Sequence, residues 1–152
     1  MHPRAAYLIE ALQLAPHPEG GFYRRVFEAQ GSLADGRSMS SSIFFLLPAG
    51  GISRWHRVDA DETWHFYEGD PLELLIADDP QALRRERLGP VGEGSLPQRT
   101  VRAHAWQAAR ALGAYTLVGC NVAPAFEFDG FRLLADDLDA QRRWPLLDRQ
   151  FL

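Results

Sequence analysis

Gly50-Gly51-Ile52-Ser53-Arg54-Trp55-His56-Arg57-Val58-Asp59-Ala60-Asp61-Glu62-Thr63-Trp64-His65-Phe66-Tyr67-Glu68-Gly69 is the stretch whose reading decides the fold. Glycine turns close it at both ends, and the turn Asp59-Ala60-Asp61 divides two short runs, Ser53 to Arg57 and Glu62 to Glu68, that read as strands. One imidazole, His56, and one carboxylate, Glu62, stand on either side of that turn. Side chains two apart on a strand share a face, so Glu62, Trp64 and Phe66 point one way while Thr63, His65 and Tyr67 point the other. If Glu62 faces an interior, His65 does not, unless a bulge shifts the register. Strand parity cannot relate His56 to Glu62, because a turn lies between them.

Outward from this stretch the same pattern repeats. Short apolar or alternating runs separated by glycine, proline and aspartate predict strands over 21–29, 39–47, 53–57, 62–68, 72–77, 84–88, 98–101, 107–109, 115–122 and 131–133. Before them, Tyr7, Leu8, Ala11 and Leu12 recur at helical spacing and predict a short amphipathic helix over 4–14, stopped by Pro16 and Pro18. Residues 136–143 have the form of a closing helix that starts on an aspartate cap and ends before Pro145. No repeat, linker or low-complexity tract interrupts the chain, so 1–152 is expected to be a single, mainly β jelly-roll domain. A domain of that size hides about 68–70% of the surface its unfolded chain exposes, enough for a core without staples.

Composition removes several function classes. The formal net charge is -4 and charged residues make up 24% of the chain, which favours neither nucleic-acid binding nor an acidic tail. All sixteen basic residues are arginine, so Schiff-base chemistry, a pyridoxal phosphate linkage and a phosphate-loop lysine are excluded. Cys120 is the single cysteine and reads as a small core residue, so no intrachain disulfide or cysteine-rich zinc site can form. Without a leader-like N-terminus or a run of about eighteen apolar residues, no membrane partner is expected and a cytoplasmic location is.

The opening stretch resembles the first motif of the cupins: glycine, five residues, His-x-His, three or four residues, glutamate, six residues, glycine. Gly50, His56, Glu62 and Gly69 fill its landmarks, and Val58 stands where the second histidine belongs. The second cupin motif aligns with Arg102-Ala103-His104-Ala105-Trp106-Gln107, placing Gln107 at its histidine. Further segments, His17-Pro18-Glu19-Gly20-Gly21-Phe22-Tyr23, Ile43 to Pro48 and Leu117 to Pro124, resemble a subfamily of small single-domain cupins of bacteria and fungi. That resemblance implies a β-sandwich barrel, a pocket in its mouth and a homodimer.

It also implies that His56 and Glu62 converge inside the barrel. Two of four usual metal ligands are retained, so any divalent metal, held by His56, Glu62 and Gln107, is expected to bind weakly. No cofactor is otherwise indicated. Without a metal, His56 and Glu62 are candidate catalytic acid and base, because burial raises a carboxyl pKa and histidine titrates near neutrality. Tyr23, Arg25, Trp64, Phe66, Gln107 and Tyr115 are candidate ligand-binding residues for a small molecule. Tyr23 and Arg25 share strand parity, and the aromatic residues suit a flat or sugar-like ligand. Three functions stay open: a metal-independent epimerase or isomerase on a carbohydrate-like substrate, a metal-dependent oxygenase or isomerase, and a non-catalytic module that binds a metabolite.

Overall fold

The computed structural model describes residues 1–152. In chain order the elements are α1 (Pro3–Ala11), β1 (Ala15–Pro16), β2 (Phe22–Glu28), β3 (Ser41–Pro48), β4 (Ile52–Val58), β5 (Asp61–Gly69) and β6 (Leu72–Asp79). There follow β7 (Ala82–Leu88), β8 (Ser95–Leu96), β9 (Gln98–Val101), β10 (Trp106–Ala111), β11 (Tyr115–Ala123), β12 (Phe131–Leu133) and α2 (Leu138–Arg143). Two six-stranded sheets result, ordered β1-β2-β3-β11-β5-β9 and β12-β4-β10-β6-β7-β8. Every ladder is antiparallel except the short β7–β8 pair. This is the jelly-roll sandwich expected from the sequence, with a short N-terminal helix.

The core follows strand parity. Leu72, Leu74 and Ile76 of β6 meet Phe45 and Leu47 of β3, Trp64 of β5 and Val118 of β11 between the sheets. The alternate residues Leu75 and Ala77 point outward, yet they are buried as well, because Leu134, Ala140, Leu147 and Phe151 cover that side. On the other sheet, Ala5 and Leu8 of α1 cover Leu46 and Leu117. No helix is long and apolar enough to cross a membrane.

Departures from the expected elements have local causes. Helix α1 ends at Ala11 rather than Leu14, since Gln13 takes a left-handed φ of 53° and the Leu14 amide bonds back to the Ile9 carbonyl at 2.8 Å. Helix α2 begins at Leu138 because Asp137 is the cap, its carboxylate accepting from the Ala140 amide at 2.8 Å. The two-residue strands β1 and β8 carry no periodicity to read and exist only through pairing.

Truncating a side chain at the centre of this core tests the packing. Leu74→Ala should cost about 2–5 kcal/mol in urea unfolding, the range for a cavity left by a fully buried leucine.

Candidate active site

A bulge in β4 decides which side chains meet. Between β10 and β4, Gln107 opposes His56 but Ala109 opposes Ser53, so β4 carries one extra residue there. Simple alternation would put Ser53 and His56 on opposite faces. The extra residue turns both inward, toward the first sheet. Across the sandwich, Glu62 and Trp64 of β5 face them, flanked by Val122 and Cys120 of β11. The register irregularity of the β5–β11 ladder lies beyond His65, so Glu62 and His65 keep opposite parity and His65 stays outside the cavity.

The space enclosed is a cavity of about 750 Å³ between the sheets. His56, Val58, Glu62, Trp64 and Cys120 line it, together with Tyr23, Arg24 and Arg25 of β2. Residues 126–129, between β11 and β12, form part of its wall, and the rings of Phe126 and Phe128 meet edge to face at 5.0 Å. His17 and Glu19, from the loop after β1, complete the wall.

Polar groups inside form a chain across the two sheets. Gln107 Nε2 donates to Glu62 Oε2 at 2.5 Å, while Gln107 Oε1 accepts from Trp64 Nε1 at 3.0 Å. His56 Nδ1 lies 2.7 Å from the Arg54 carbonyl oxygen, and its Nε2 lies 3.2 Å from Glu19 Oε2. Glu62 is 7% exposed and His56 2%. Burial dominates their titration: it pushes Glu62 from 4.5 to about 7, against the attraction of His56 and the Gln107 hydrogen bond, with the Glu19 charge adding to the rise. Burial likewise lowers His56 and raises Glu19. A carboxyl poised near neutrality beside an imidazole is a pair able to exchange protons with a bound molecule.

Residues 6–134 match the family described as Cupin superfamily (DUF985). The chain belongs to the cupins. A crystal structure of a protein from Shewanella oneidensis is similar at 36% identity and a TM-score of 0.80, covering 85% of this chain and 83% of that one. A hypothetical protein from Leishmania major shares 31% identity with a TM-score of 0.84, over 97% and 96% of the two chains. Oxalate decarboxylase from Bacillus subtilis shares the fold at 16% identity and a TM-score of 0.62, with 80% of this chain covering 30% of that one. No curated protein matches the chain.

The cupin fold implies a metal, and the residues present do not fit one. Val58 offers no donor, and Gln107 spends its oxygen on Trp64 and its nitrogen on Glu62. No three histidine, cysteine, aspartate or glutamate side chains are arranged to hold an ion. The donor set therefore suits proton chemistry better than coordination.

Of the residues singled out from the sequence, His56, Glu62, Tyr23, Arg25 and Trp64 all line the one cavity. Three others do not. Gln107 sits behind Glu62 as its hydrogen-bond donor, and Phe66 packs against the main core. Tyr115 lies on the far side of its sheet among the residues under α1, and its hydroxyl donates to Glu68 Oε1 at 2.7 Å. Its strand was located correctly, but parity turned it outward. Arg25 reaches the cavity with its guanidinium already bonded to Glu28 at 3.0 Å and the Phe126 carbonyl at 2.8 Å. Sequence reasoning missed Glu19 and His17, although the text His17-Pro18-Glu19-Gly20-Gly21 was part of the family resemblance and the double glycine was the available signal.

The raised Glu62 pKa has a stability consequence with a definite sign. Between about pH 4.5 and pH 7 the folded chain holds a proton that the unfolded chain has released, so this group's contribution falls as pH rises through that window. Glu62→Gln should remove the loss. Its stability relative to wild type should therefore increase by about 3 kcal/mol from pH 4.5 to above pH 7 in urea unfolding.

Proposed function

We propose that this cupin binds a carbohydrate-like small molecule and moves protons on it as a metal-independent epimerase or isomerase. The observation that carries the reading is the pair His56 and Glu62, both out of water in one cavity, with Glu62 pushed up to about 7. A general base works best when its pKa lies near the working pH, and such groups contribute roughly 10²–10⁴-fold in rate.

In this reading the Glu62 carboxylate takes a proton from a carbon beside a carbonyl, and the C–H electron pair moves into the carbonyl oxygen as an enolate. Protonated His56 then delivers a proton to carbon or oxygen and is reprotonated from water, while Glu62 releases its proton to water, so the cycle is redox-neutral and needs no co-reactant. Trp64 and Tyr23 offer aromatic faces for a sugar ring, and Arg25, neutralised by Glu28, serves as a donor. Exposed Phe27 of β2 and Tyr67 of β5 support a homodimer.

The reaction is read by solvent exchange. Incubated in D₂O with a panel of keto sugars and nucleoside-diphosphate sugars, the protein should replace one carbon-bound hydrogen of its substrate, followed by proton NMR, before and after dialysis against a chelator. Glu62→Gln should lower the exchange by about 10²-fold or more. Exchange that depends on added metal, or that is unchanged in both Glu62→Gln and His56→Ala, contradicts the reading. Saturable binding without exchange across the panel would instead mark a metabolite-binding module.

A further inference from the structure

The loop carrying Glu19 is pressed against β4 by backbone geometry that only glycine allows. Gly20 has a φ of +107°, and a Cβ there would lie 2.2 Å from the Ile52 carbonyl oxygen. The Glu19 carbonyl accepts from the Arg54 amide at 2.7 Å, and Arg54 also reaches the Pro18 carbonyl with its guanidinium. Ser53 Oγ donates to Glu19 Oε1 at 2.7 Å. Ser53 and His56 thus meet the Glu19 carboxyl group while Arg54 holds the backbone beneath it, and the residue is 6% exposed.

Elementary hydrogen-bond logic then fixes one proton. A carbonyl oxygen can only accept, so the 2.7 Å contact from His56 Nδ1 to the Arg54 carbonyl requires a proton on Nδ1. Nε2 of the neutral ring then carries a lone pair, and it lies 3.2 Å from Glu19 Oε2. A lone pair facing a bare carboxylate is repulsive, so a proton must lie between them, as carboxylic acid to imidazole or as imidazolium to carboxylate. His17 is not its source, because its Nδ1 accepts from the Glu19 amide at 3.2 Å and lies 3.6 Å from Oε2.

We propose that Glu19 is the positioning residue of this site, sharing one proton with His56 Nε2 so that the two side chains act as a single proton donor facing the base Glu62. The catalytic meaning of the pair rests on the proton-transfer reading above, but the shared proton itself does not. Because both ring nitrogens are engaged, His56 can deliver a proton only by drawing on the one it shares. The other charged or titratable groups around the pair are His17, Arg54, Glu62 and Cys120.

The test needs no substrate. In the full chain labelled with ¹⁵N-histidine, proton NMR at neutral pH should show one far-downfield, exchange-protected proton correlated with His56 Nε2. It should be lost in Glu19→Gln, whose amide can hold the ring but has no proton to give, and kept in Glu62→Gln. Should Glu19→Gln fail to fold, Ser53→Ala removes the donor to Oε1 and should shift or broaden the same signal. Absence of the proton in wild type, its survival in Glu19→Gln, or an unchanged signal in Ser53→Ala overturns the assignment. Solvent exchange with a shared proton absent would refute Glu19 alone, whereas a shared proton without any exchange would refute the epimerase reading alone.

Discussion

Desolvation of two carboxyl groups and one imidazole is the constraint on which the rest of this structure depends. Taking such groups out of water is costly unless each finds partners, and a bare buried charge is normally relieved by neutralisation. Here both responses are visible. Glu62 receives the Gln107 amide, Glu19 receives the Ser53 hydroxyl, and burial drives both carboxyls toward their neutral forms. A group that would be an inert carboxylate at the surface becomes one whose proton is exchangeable near neutral pH.

The architecture supplies the rigidity this requires. Glu62 and Trp64 stand on one sheet and Gln107 and His56 on the other, so the hydrogen bonds through Gln107 tie the sheets together at the cavity floor. A fully paired polar network in a low-dielectric interior holds its members in one arrangement, while a half-paired one destabilises the fold. The rings of Phe126, Phe128 and Phe131 stand near the site from a separate segment, with Phe131 tilted over His56 at 5.5 Å. They lower the local polarity and offer faces to a ligand.

The strands were legible because turn residues and short apolar runs mark them, and the span 98–101 and the span 131–133 coincide with β9 and β12. The convergence of His56 with Glu62 was legible only through the resemblance to other cupins, since the turn between them breaks any parity argument. Two features lay beyond sequence periodicity. The bulge that turns Ser53 inward is visible only in the β4–β10 register, and Glu19 reaches the site through a left-handed glycine turn rather than a strand. Tyr115 shows the converse: a correct strand does not tell which face meets the cavity when both faces of the sheet are buried.

The most direct test of the central claim is a titration of the Glu62 side-chain carboxyl by ¹³C NMR, assigned by comparison with Glu62→Gln. The account requires a midpoint of about 7 for this group. A midpoint near the ordinary carboxyl value of 4.5 would mean that water reaches the cavity floor, and proton transfer by Glu62 at neutral pH would lose its physical basis.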